Sequence, residues 1–425
     1  MLKENNHLFI KGLKCVNCGT VFPLDPKFFV CPKCGLEKVR GISIFKGATE
    51  IFYDYEAITN SISKELFASR PFNALRYKEL LGFESEEPLL TLGEGGTPLI
   101  RSKKLADKLK LNRLLLKNEA QNPTGSFKDR ESVMVVNGAL KLGKKYLSCV
   151  SSGNAAASIA AYAARSGLKC SVFMPASTSE GKVSQCSIYG ARVLLLNGIY
   201  EEIFELYMEA VKDLDIFESS AGHNRLRLEG DKTIAYEICE QLGWRAPAWV
   251  IDNVGNGTHL YGMWKGFKEL KRMGLIDDLP RMVAVGPLKG APVVEAFKTG
   301  RVLPLESSRE SVAEGLVGRW GYDTPLALRA LQESNGHAEY VSDDEILEMM
   351  KLLARFEGIF AEPSGVACLA ALPKIIQAGI IDSDEEVVCI ITGSGLKDPK
   401  TGRKISESPM HVPLNIDDIR AVLQP

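Results

Sequence analysis

The sequence has few histidines, no excess of basic residues and no long apolar run. Its 425 residues include five histidines, and 52 lysines and arginines are balanced by 53 aspartates and glutamates, which leaves a formal net charge of -1. Because a surface that follows a phosphate backbone needs a basic excess, we expect no nucleic-acid partner. No apolar stretch reaches the roughly 20 residues of a membrane span, and the N-terminus contains no pattern typical of a secretory leader. We therefore expect a cytoplasmic protein, without a membrane partner, that acts on small molecules.

The composition that is present is typical of a globular protein. Apolar residues make up 45% of the chain and charged residues 25%, a balance that allows a large buried core. A chain of this length exceeds the usual size of one hydrophobic core. We therefore expect two large domains and a small additional module.

Four of the ten cysteines form two Cys-x-x-Cys pairs near the N-terminus. Cys15 and Cys18 form the first pair, Cys31 and Cys34 form the second, and a glycine follows each pair. This spacing is typical of a zinc ribbon, in which four thiolates surround one tetrahedral ion. We predict a structural Zn²⁺ in a ribbon-like module over residues 1–45. The other six cysteines are scattered among apolar neighbours and are expected to be reduced.

The rest of the chain alternates between apolar strands and amphipathic helices. Candidate strands include LLLKNEA, KCSVFMPA, AWVIDN, PRMVAVG and EVVCIITG, and candidate helices include DRESVMVVNGALKLG and AAASIAAYAARSG. Strands that are apolar on both faces and alternate with helices indicate an α/β fold with mostly parallel, twisted sheets flanked by helices. Ligands of such sheets bind at the carboxyl ends of the strands.

The first strand-to-helix junction with a candidate catalytic residue is NPTGSFKDR, residues 122–130. Lys128 follows a Gly-Ser-Phe turn at the start of a predicted helix. The positive end of a helix dipole favours the neutral form of an amine, which is the form that bonds to an aldehyde. A surface lysine is the alternative interpretation, and Asp129 and Arg130 are expected to be a helix-start charge and a surface pair.

Three further junctions carry polar loops. In SSGNAAAS, residues 151–158, Asn154 offers an amide to an anionic ring oxygen, and the turn offers backbone amides to a carboxylate. VGNGT, residues 254–258, is a candidate phosphate cradle at a helix start, with His259 either packing there or serving as a ligand. ITGSGLKDP, residues 391–399, presents the neutral Thr392 hydroxyl. Each loop alone is also consistent with an ordinary turn, but four together indicate one site.

These residues give the chain a resemblance to the fold type II enzymes that use pyridoxal phosphate (PLP), in the tryptophan synthase β-like superfamily, and within them to the threonine synthase family. The resemblance is carried by GEGGTPL, KNEAQNPTGSFKDR, RLEGDKTIAYEI, WKGFKEL, LLARFEGIFAEPSG and TGSGLKDP. It covers nearly the whole chain and includes the ribbon seen in some members. It implies a lyase of amino-acid biosynthesis that makes threonine from O-phosphohomoserine, and a homodimer.

The resemblance also assigns roles to individual residues. Lys128 matches the Schiff-base lysine, and Phe127 flanks the cofactor. Asn154 matches the partner of the ring hydroxyl, Gly255, Asn256, Gly257 and Thr258 match the phosphate loop, and Thr392 matches the partner of the pyridine nitrogen. It further implies a large PLP-binding domain over residues 46–132 and 220–425, with a small α/β domain inserted at residues 133–219.

The substrate side departs from the family pattern. Ala155 stands where a hydroxyl is usual, and Ala221 with Gly222 stand where an Asn-Ser pair usually holds the substrate phosphate. The Ala-Glu-Gly-Leu run at Glu314 is similar to that of serine and threonine dehydratases. We predict substrate contacts from Ser151, Ser152, Asn224, Arg227 and Glu314.

There are three alternatives to threonine synthesis, of which the first follows from these departures and the other two from the cysteine ribbon. One is β-elimination or β-replacement on a related small amino acid. A second is a non-catalytic binding protein, which retention of Lys128 and of the phosphate loop disfavours. The third is a zinc enzyme, which the scarcity of histidine disfavours because four thiolates leave no open metal position.

Overall fold

The computed structural model describes residues 9–24, 29–83, 88–178, 180–306 and 310–423. The N-terminal module consists of five short strands: β1 (Ile10–Cys15), β2 (Val21–Phe22), β3 (Leu36–Val39), β4 (Ile42–Phe45) and β5 (Thr49–Tyr53). Strand β1 pairs with β2 and β5 in an antiparallel sheet, and β3 with β4 forms a separate hairpin. The two Cys-x-x-Cys turns lie between these strands.

The segment after the module contains several helices and the first two strands of the largest sheet. Its elements are α1 (Tyr55–Ser61), α2 (Lys64–Ala68), a 3-10 helix (Ala74–Leu81), β6 (Leu99–Arg101), α3 (Lys104–Leu109), β7 (Arg113–Asn118) and α4 (Lys128–Lys141). Helices α1 and α2 begin at side-chain caps, because Asp54 and Ser63 each accept a hydrogen bond from the backbone three residues later. Helix α4 then carries Lys128 as its first residue.

The next segment forms a four-stranded parallel sheet. Its elements are β8 (Tyr146–Val150), α5 (Asn154–Ser166), β9 (Lys169–Pro175), α6 (Glu180–Ile188), β10 (Arg192–Leu196), α7 (Tyr200–Val211) and β11 (Phe217–Glu218). The strand order is β10-β9-β8-β11, and all pairs are parallel. Helices α4, α5 and α6 form the hydrophobic core on one face of this sheet. Helix α7 and strand β4 of the N-terminal module form the core on the other face.

The remaining segment completes a six-stranded sheet. Its elements are α8 (Arg225–Gln241), β12 (Trp249–Asn253), α9 (Thr258–Arg272), β13 (Arg281–Pro287), α10 (Pro292–Thr299), α11 (Thr324–Glu333), β14 (His337–Val341), α12 (Asp343–Glu357), α13 (Pro363–Ala370), α14 (Leu372–Gln377), β15 (Glu386–Ile391), α15 (Pro399–Ile405) and α16 (Ile416–Leu423). The order is β14-β13-β12-β15-β7-β6, and only the β6–β7 pair among these strands is antiparallel.

Both faces of the six-stranded sheet are buried. Val388 and Ile390 of β15 join the core that contains α8 and α9, whereas Val387, Cys389 and Ile391 join the core that contains α12 and α13. This alternation follows from the two-residue period of a strand. A sheet buried on both faces needs strands that are apolar throughout, which is the pattern read from the sequence.

The predicted α/β class is confirmed by the two parallel sheets and their flanking helices. Strands of the smaller sheet lie between residues 146 and 218, and strands of the larger sheet lie on both sides of that segment. The residue limits of the domains stay a prediction. No helix in the described part of the chain combines the length and apolar character needed to cross a bilayer.

Candidate active site

A cleft of about 270 Å³ lies at the carboxyl ends of strands from both sheets. The four junctions singled out in the sequence meet there, since its lining includes Phe127, Lys128, residues 151–155, residues 254–259 and Thr392. Strands β8, β12 and β15 end at three of these loops, and α4 begins at the fourth. The topology therefore brings into one cavity residues that are far apart in the chain.

The Lys128 amine lines the cleft and contacts one carboxylate and one aromatic ring. Its Nζ atom lies 2.5 Å from Oε1 of Glu131 and 4.2 Å from the centroid of the Phe127 ring. The Phe127 ring also packs against the imidazole of His259, and the two ring centroids lie 4.0 Å apart. His259 in turn pairs through Nδ1 with Asp252 at 2.8 Å. Phe127 therefore fixes the position of the lysine between the helix start and the cleft.

Glu131 connects Lys128 to a buried arginine. Its Oε2 atom accepts a hydrogen bond of 2.5 Å from Arg227, and neither side chain is exposed. Burial alone raises the pKa of Glu131, but the charges of Lys128 and Arg227 outweigh burial and hold that pKa below its ordinary value. Glu131 is therefore ionised near neutral pH, and it joins the half-buried Lys128 to the fully buried Arg227 in a charge triad.

Two of the predicted substrate residues lie outside the cleft lining. Arg227 faces Glu131 and the Ser219 carbonyl oxygen. Asn224 caps helix α8, because its side-chain oxygen accepts from Leu226 and its amide donates to the Glu218 carbonyl oxygen. These contacts use the polar atoms of Asn224 within the protein, so a substrate role for either residue stays a prediction.

The loop before helix α9 forms a cradle of backbone amides. Gly257 is the N-cap residue and adopts φ +95, and no side chain caps the helix. A Cβ atom on Gly257 would lie 2.8 Å from the Asp323 carbonyl oxygen, and one on Gly255 would lie 2.9 Å from that of Gly315. The Thr258 hydroxyl donates to Asp323 at 2.6 Å. Uncapped amides at a helix N-terminus bind phosphate, so the loop fits that group.

The start of helix α5 forms a second set of uncapped amides. Gly153 is its N-cap residue and no side-chain hydrogen bond closes the helix end. Ser151 accepts a hydrogen bond from the Gly153 amide through Oγ at 3.2 Å, and Ser151 and Ser152 both line the cleft. The negative charge of a bound carboxylate would be stabilised by the positive end of the helix dipole at this helix start.

The side chain of Asn154 is held by a buried carboxyl group. Its Nδ2 donates to Oε1 of Glu362 at 2.6 Å. Burial raises the pKa of Glu362, and the hydrogen bond from Asn154 offsets part of that rise. Both residues line the cleft, and this contact fixes the direction in which the Asn154 amide points.

Backbone contacts join the Lys128 loop to the Thr392 loop. The Phe127 amide donates to the Thr392 carbonyl oxygen at 3.1 Å. Isolated β-bridges also pair Ser126 with Gly393 and Ala361 with Ser394. The Thr392 hydroxyl has a long contact of 3.4 Å with the Ser364 carbonyl oxygen. Main-chain hydrogen bonds therefore hold three segments in place relative to one another: the loop before Lys128, the Thr392 loop and the segment that carries Glu362.

The expectation that Asp129 and Arg130 form a surface pair is wrong. Both are fully buried. Asp129 accepts hydrogen bonds from Thr124 and Ser158. Arg130 pairs with Glu119 at 2.7 Å and with Glu237 at 2.6 Å. The two residues lie on the side of α4 that faces α5 and α8, where a charge is tolerated only because it is paired.

The four N-terminal cysteines form one cluster. Their sulfur atoms all lie within 4.8 Å of one another, with Cys15 to Cys34 at 3.8 Å and Cys18 to Cys31 at 3.7 Å. A tetrahedral ion with bonds of about 2.3 Å separates its sulfur ligands by about 3.8 Å. Gly47 permits this approach, since a Cβ atom there would lie 2.6 Å from those of Cys31 and Cys34. The cluster is compatible with a bound metal.

Sequence reasoning missed three residues of the cleft region. Glu131 follows Lys128 by three positions, a spacing that places two side chains on one face of a helix and was the available signal. Glu362 and Lys182 gave no such signal, because each meets its partner across the fold. Lys182 of α6 pairs with Glu314 at 2.5 Å, so the predicted Glu314 lies in the cleft lining but faces a lysine.

Comparison with known proteins gives three further findings. Residues 90–393 match the model of a family described as pyridoxal-phosphate dependent enzyme. The threonine synthase of Methanocaldococcus jannaschii is 40% identical over 97% of this chain and 99% of its own length, and that of Methanosarcina acetivorans is 38% identical over 97% and 98%. The crystal structure of a threonine deaminase from T.th. superimposes with a TM-score of 0.58 and 28% identity, covering 70% of this chain and 92% of that one.

Proposed function

Since the chain belongs to the pyridoxal-phosphate dependent enzyme family and, within it, to the threonine synthases, we propose that its cleft converts O-phosphohomoserine and water to threonine and phosphate. The observation that carries this proposal is the convergence of Lys128 with two uncapped helix starts in one cavity. One helix start suits a cofactor phosphate and the other a substrate carboxylate.

The residues of the cleft fit PLP. Gly255, Asn256, Gly257 and Thr258 would hold its phosphate through the uncapped amides of the loop, and a Cβ atom at either glycine would collide with a backbone carbonyl oxygen and shift that loop. Lys128 would bond to its aldehyde, and Phe127 would flank it. Asn154 and Thr392 would contact the ring hydroxyl and the ring nitrogen. When bound, the cofactor supplies an electron sink for bonds at the substrate α carbon.

The proposed reaction moves several protons. Cα and Cβ each give up a proton, phosphate leaves Cγ, the hydroxyl of water is added at Cβ, and Cγ and Cα each gain a proton. The Lys128 amine is the base at the cleft that would carry these protons, and Glu131 lies within hydrogen-bond distance of it. The amides of residues 153–155 would hold the substrate carboxylate, with Ser151 and Ser152 beside it.

A panel assay on purified holoenzyme tests the proposal. Threonine and inorganic phosphate are followed from O-phosphohomoserine, and oxo-acid formation is followed from serine and threonine. We expect threonine and phosphate in equal amounts. Lys128→Ala is the control and is expected to lower the rate at least about 100-fold. Oxo-acid without threonine would instead assign the cleft to β-elimination.

We further propose that the cysteine cluster binds one structural Zn²⁺. The sulfur separations support a closed tetrahedral site. Metal analysis of protein purified without added zinc is expected to give one ion per chain, and Cys31→Ser is expected to lose it. Cys239→Ser is the matched control, because Cys239 is buried away from the cluster. Metal bound equally by both variants would contradict the proposal.

The remaining expectations are also proposals. Balanced charge and the family's chemistry support a cytoplasmic enzyme that acts on an amino acid. Family membership supports a homodimer, which light scattering during size-exclusion chromatography would test. A mass of one chain, 46.6 kDa, would contradict it.

A further inference from the structure

The N-terminal module packs against the protein behind the phosphate cradle. Its strand β4 ends at Phe45, and the rings of Phe45 and Tyr322 lie with their centroids 5.4 Å apart. The ring of Phe204 from α7 also packs against Tyr322, at 4.7 Å. Phe45 is 4% exposed and Tyr322 is fully buried. Aromatic pairs at such distances stabilise a fold beyond the area that they bury, so the two phenylalanines fix the position of Tyr322.

Tyr322 is bonded to the loop that forms the phosphate cradle. Its backbone amide donates to Oδ1 of Asn256 at 2.7 Å. The next residue, Asp323, donates through its amide to the Asn256 carbonyl oxygen at 3.1 Å. Asp323 also accepts from the Thr258 hydroxyl at 2.6 Å. A displacement of Tyr322 and Asp323 would therefore move the cradle itself.

Asp323 is also held from the start of α8. Its Oδ1 accepts from Nη1 of Arg225 at 2.7 Å, and Arg225 donates to the Gly222 carbonyl oxygen at 2.8 Å. A Cβ atom on Gly222 would lie 2.7 Å from Nδ2 of Asn256 and 2.8 Å from Cβ of Tyr322. Because these segments are in such close contact, a shift of one displaces the others.

The second Cys-x-x-Cys turn holds the end of β4 in place. Strand β4 is paired with β3 in an antiparallel hairpin. Directly after Phe45, the Lys46 amide donates to the Gly35 carbonyl oxygen at 3.1 Å. The Cys31 amide donates to the Gly47 carbonyl oxygen at 2.8 Å. The turn is thus bonded to both residues that follow Phe45, which makes the end of β4 a firm support.

The aromatic contact lies outside the cleft. Phe45, Tyr322 and Asp323 do not belong to its lining, whereas Asn256 and Thr258 do. The first three residues can therefore affect a ligand only through the cradle. The Tyr322 hydroxyl has no hydrogen-bond partner among the described residues, so the contact of Tyr322 with the module is made by its ring.

We propose that Phe45 and Tyr322 are positioning residues for the cofactor phosphate, through which the N-terminal module holds residues 255–258 in the shape that binds it. The inference rests on the proposed assignment of that loop to the phosphate of PLP and is independent of the product formed. Donors that are already in place bind an anion more tightly, because no free energy is spent on ordering them. The ribbon-like module thereby gains a role at a site that it does not line.

Two forms of the cofactor test the inference without turnover. The full chain, freed of cofactor, is titrated with PLP and with pyridoxal, which has the aldehyde but lacks the phosphate. Absorbance measures both affinities. We expect Phe45→Leu to weaken PLP binding about tenfold, as for the loss of one hydrogen bond to the phosphate, and to leave pyridoxal binding unchanged. Leucine keeps an apolar side chain in the cluster, so the fold is expected to be retained.

Variants of Tyr322 separate the ring from the hydroxyl. Tyr322→Leu is expected to reproduce the selective loss of PLP affinity. Tyr322→Phe keeps the ring and is expected to retain the affinity of the parent. When Phe45→Leu and Tyr322→Leu are combined, the loss should be no larger than in Tyr322→Leu alone, because both changes remove the same contact.

Phe52→Leu is the matched control. Phe52 belongs to β5 of the same module, in the sheet with β1 and not in the β3–β4 hairpin. Its ring packs against that of Tyr55, with the centroids 6.4 Å apart. The variant is expected to change neither affinity.

The outcomes separate this inference from the proposed function. An equal loss of PLP and pyridoxal affinity in Phe45→Leu, no loss of either, or the same selective loss in Phe52→Leu would overturn the positioning role. Additive losses in the double variant, or no preference of the unaltered chain for PLP over pyridoxal, would also overturn it. If PLP affinity depends on Phe45 as expected and the panel assay yields no threonine, the positioning role stands and the proposed reaction is wrong.

Discussion

Lys128 and Glu131, three residues apart on α4, form an ion pair of 2.5 Å in which the lysine belongs to the lining of the cleft. The pair has opposite consequences for the two forms of the lysine. A buried carboxylate stabilises the ammonium, whereas bonding to an aldehyde requires the neutral amine. We infer that Glu131 restrains the lysine through this ion pair, which makes Glu131 a positioning residue.

The Glu131→Gln variant tests this relationship. Removal of the carboxylate charge leaves the Lys128 amine without its ion-pair partner, so the lysine is held less firmly and the affinity for covalently attached cofactor is expected to fall about tenfold. Because Arg227 would lose its counter-charge in a buried position, we also expect unfolding to become easier by about 3–5 kcal/mol. Cofactor absorbance at increasing PLP concentration and urea unfolding measure the two effects. Glu131→Asp keeps the charge and should lie nearer the parent enzyme; unchanged cofactor affinity in Glu131→Gln would contradict the role.

A second prediction concerns the contact between Glu362 and Asn154. Glu362→Ala removes the acceptor that orients the Asn154 amide, and the affinity for PLP is expected to fall about tenfold, as for the loss of one good hydrogen bond. Glu362→Gln retains an oxygen acceptor and should keep most of the affinity. Equilibrium dialysis against PLP measures both variants. Equal losses in the two variants would show that the charge, and not the orientation of Asn154, is what matters.

The phosphate cradle gives a third prediction. Gly257→Ala introduces a side chain at φ +95, where it also meets the Asp323 carbonyl oxygen. We expect PLP affinity to fall at least about tenfold, because the amides that face the phosphate must shift. Gly274→Ala is the matched control at φ +70 with no atom within 4 Å. It should cost about 1 kcal/mol of stability and leave PLP binding unchanged; similar affinity losses in both would refute the cradle.

A fourth prediction concerns the pH dependence of stability. Burial alone raises the pKa of Glu237, but Arg130 and Lys117 outweigh it and lower the pKa from 4.5 to about 2. Because the folded-state pKa is the lower one, the stabilising contribution is complete above about 4.5 and is lost as the pH falls toward 2. Glu237→Gln is expected to destabilise the protein by about 3–5 kcal/mol at neutral pH, and the difference should shrink between pH 4.5 and 2.

Urea unfolding of Glu237→Gln and the parent across this pH range measures that difference. Other carboxylates titrate in the same range, but they do so in both proteins and largely cancel. Glu407→Gln is the control, because Glu407 pairs with Arg355 on the surface and should change stability by less than about 1 kcal/mol. A difference that stays constant down to pH 2 would rule out the ionised Glu237 as its source.

The strands and the location of the cleft were predictable for a local reason. The runs WVI of β12 and VVCII of β15 are apolar over three and five residues and are followed by glycine-rich loops, a pattern that marks a buried parallel strand and its ligand-binding end. Because the carboxyl ends of parallel strands share one edge, the four loops had to lie near one another. Strand β14 was not predicted, since HAEYV mixes polar and apolar residues at the edge of the sheet.

The buried charges were not predictable from local sequence. Arg130 resembles any charged residue on a helix, and its partner Glu237 lies 107 residues away. Arg227 meets Glu131 across 96 residues. Lys182 and Glu314 are separated by 132 residues and belong to different walls of the cleft. Each of these pairs depends on how α4, α6 and α8 pack, which no periodicity within one segment specifies.

The main-chain bridges between Ser126 and Gly393 and between Ala361 and Ser394 have a consequence for the evolution of this scaffold. Hydrogen bonds between backbone atoms survive most amino-acid replacements, so mutational drift leaves Lys128 and Thr392 in register. Side chains at the other wall of the cleft, such as those of Lys182 and Glu314, belong to no such bridge. A lineage can therefore replace a few side chains there while it inherits the main-chain geometry around Lys128 unchanged.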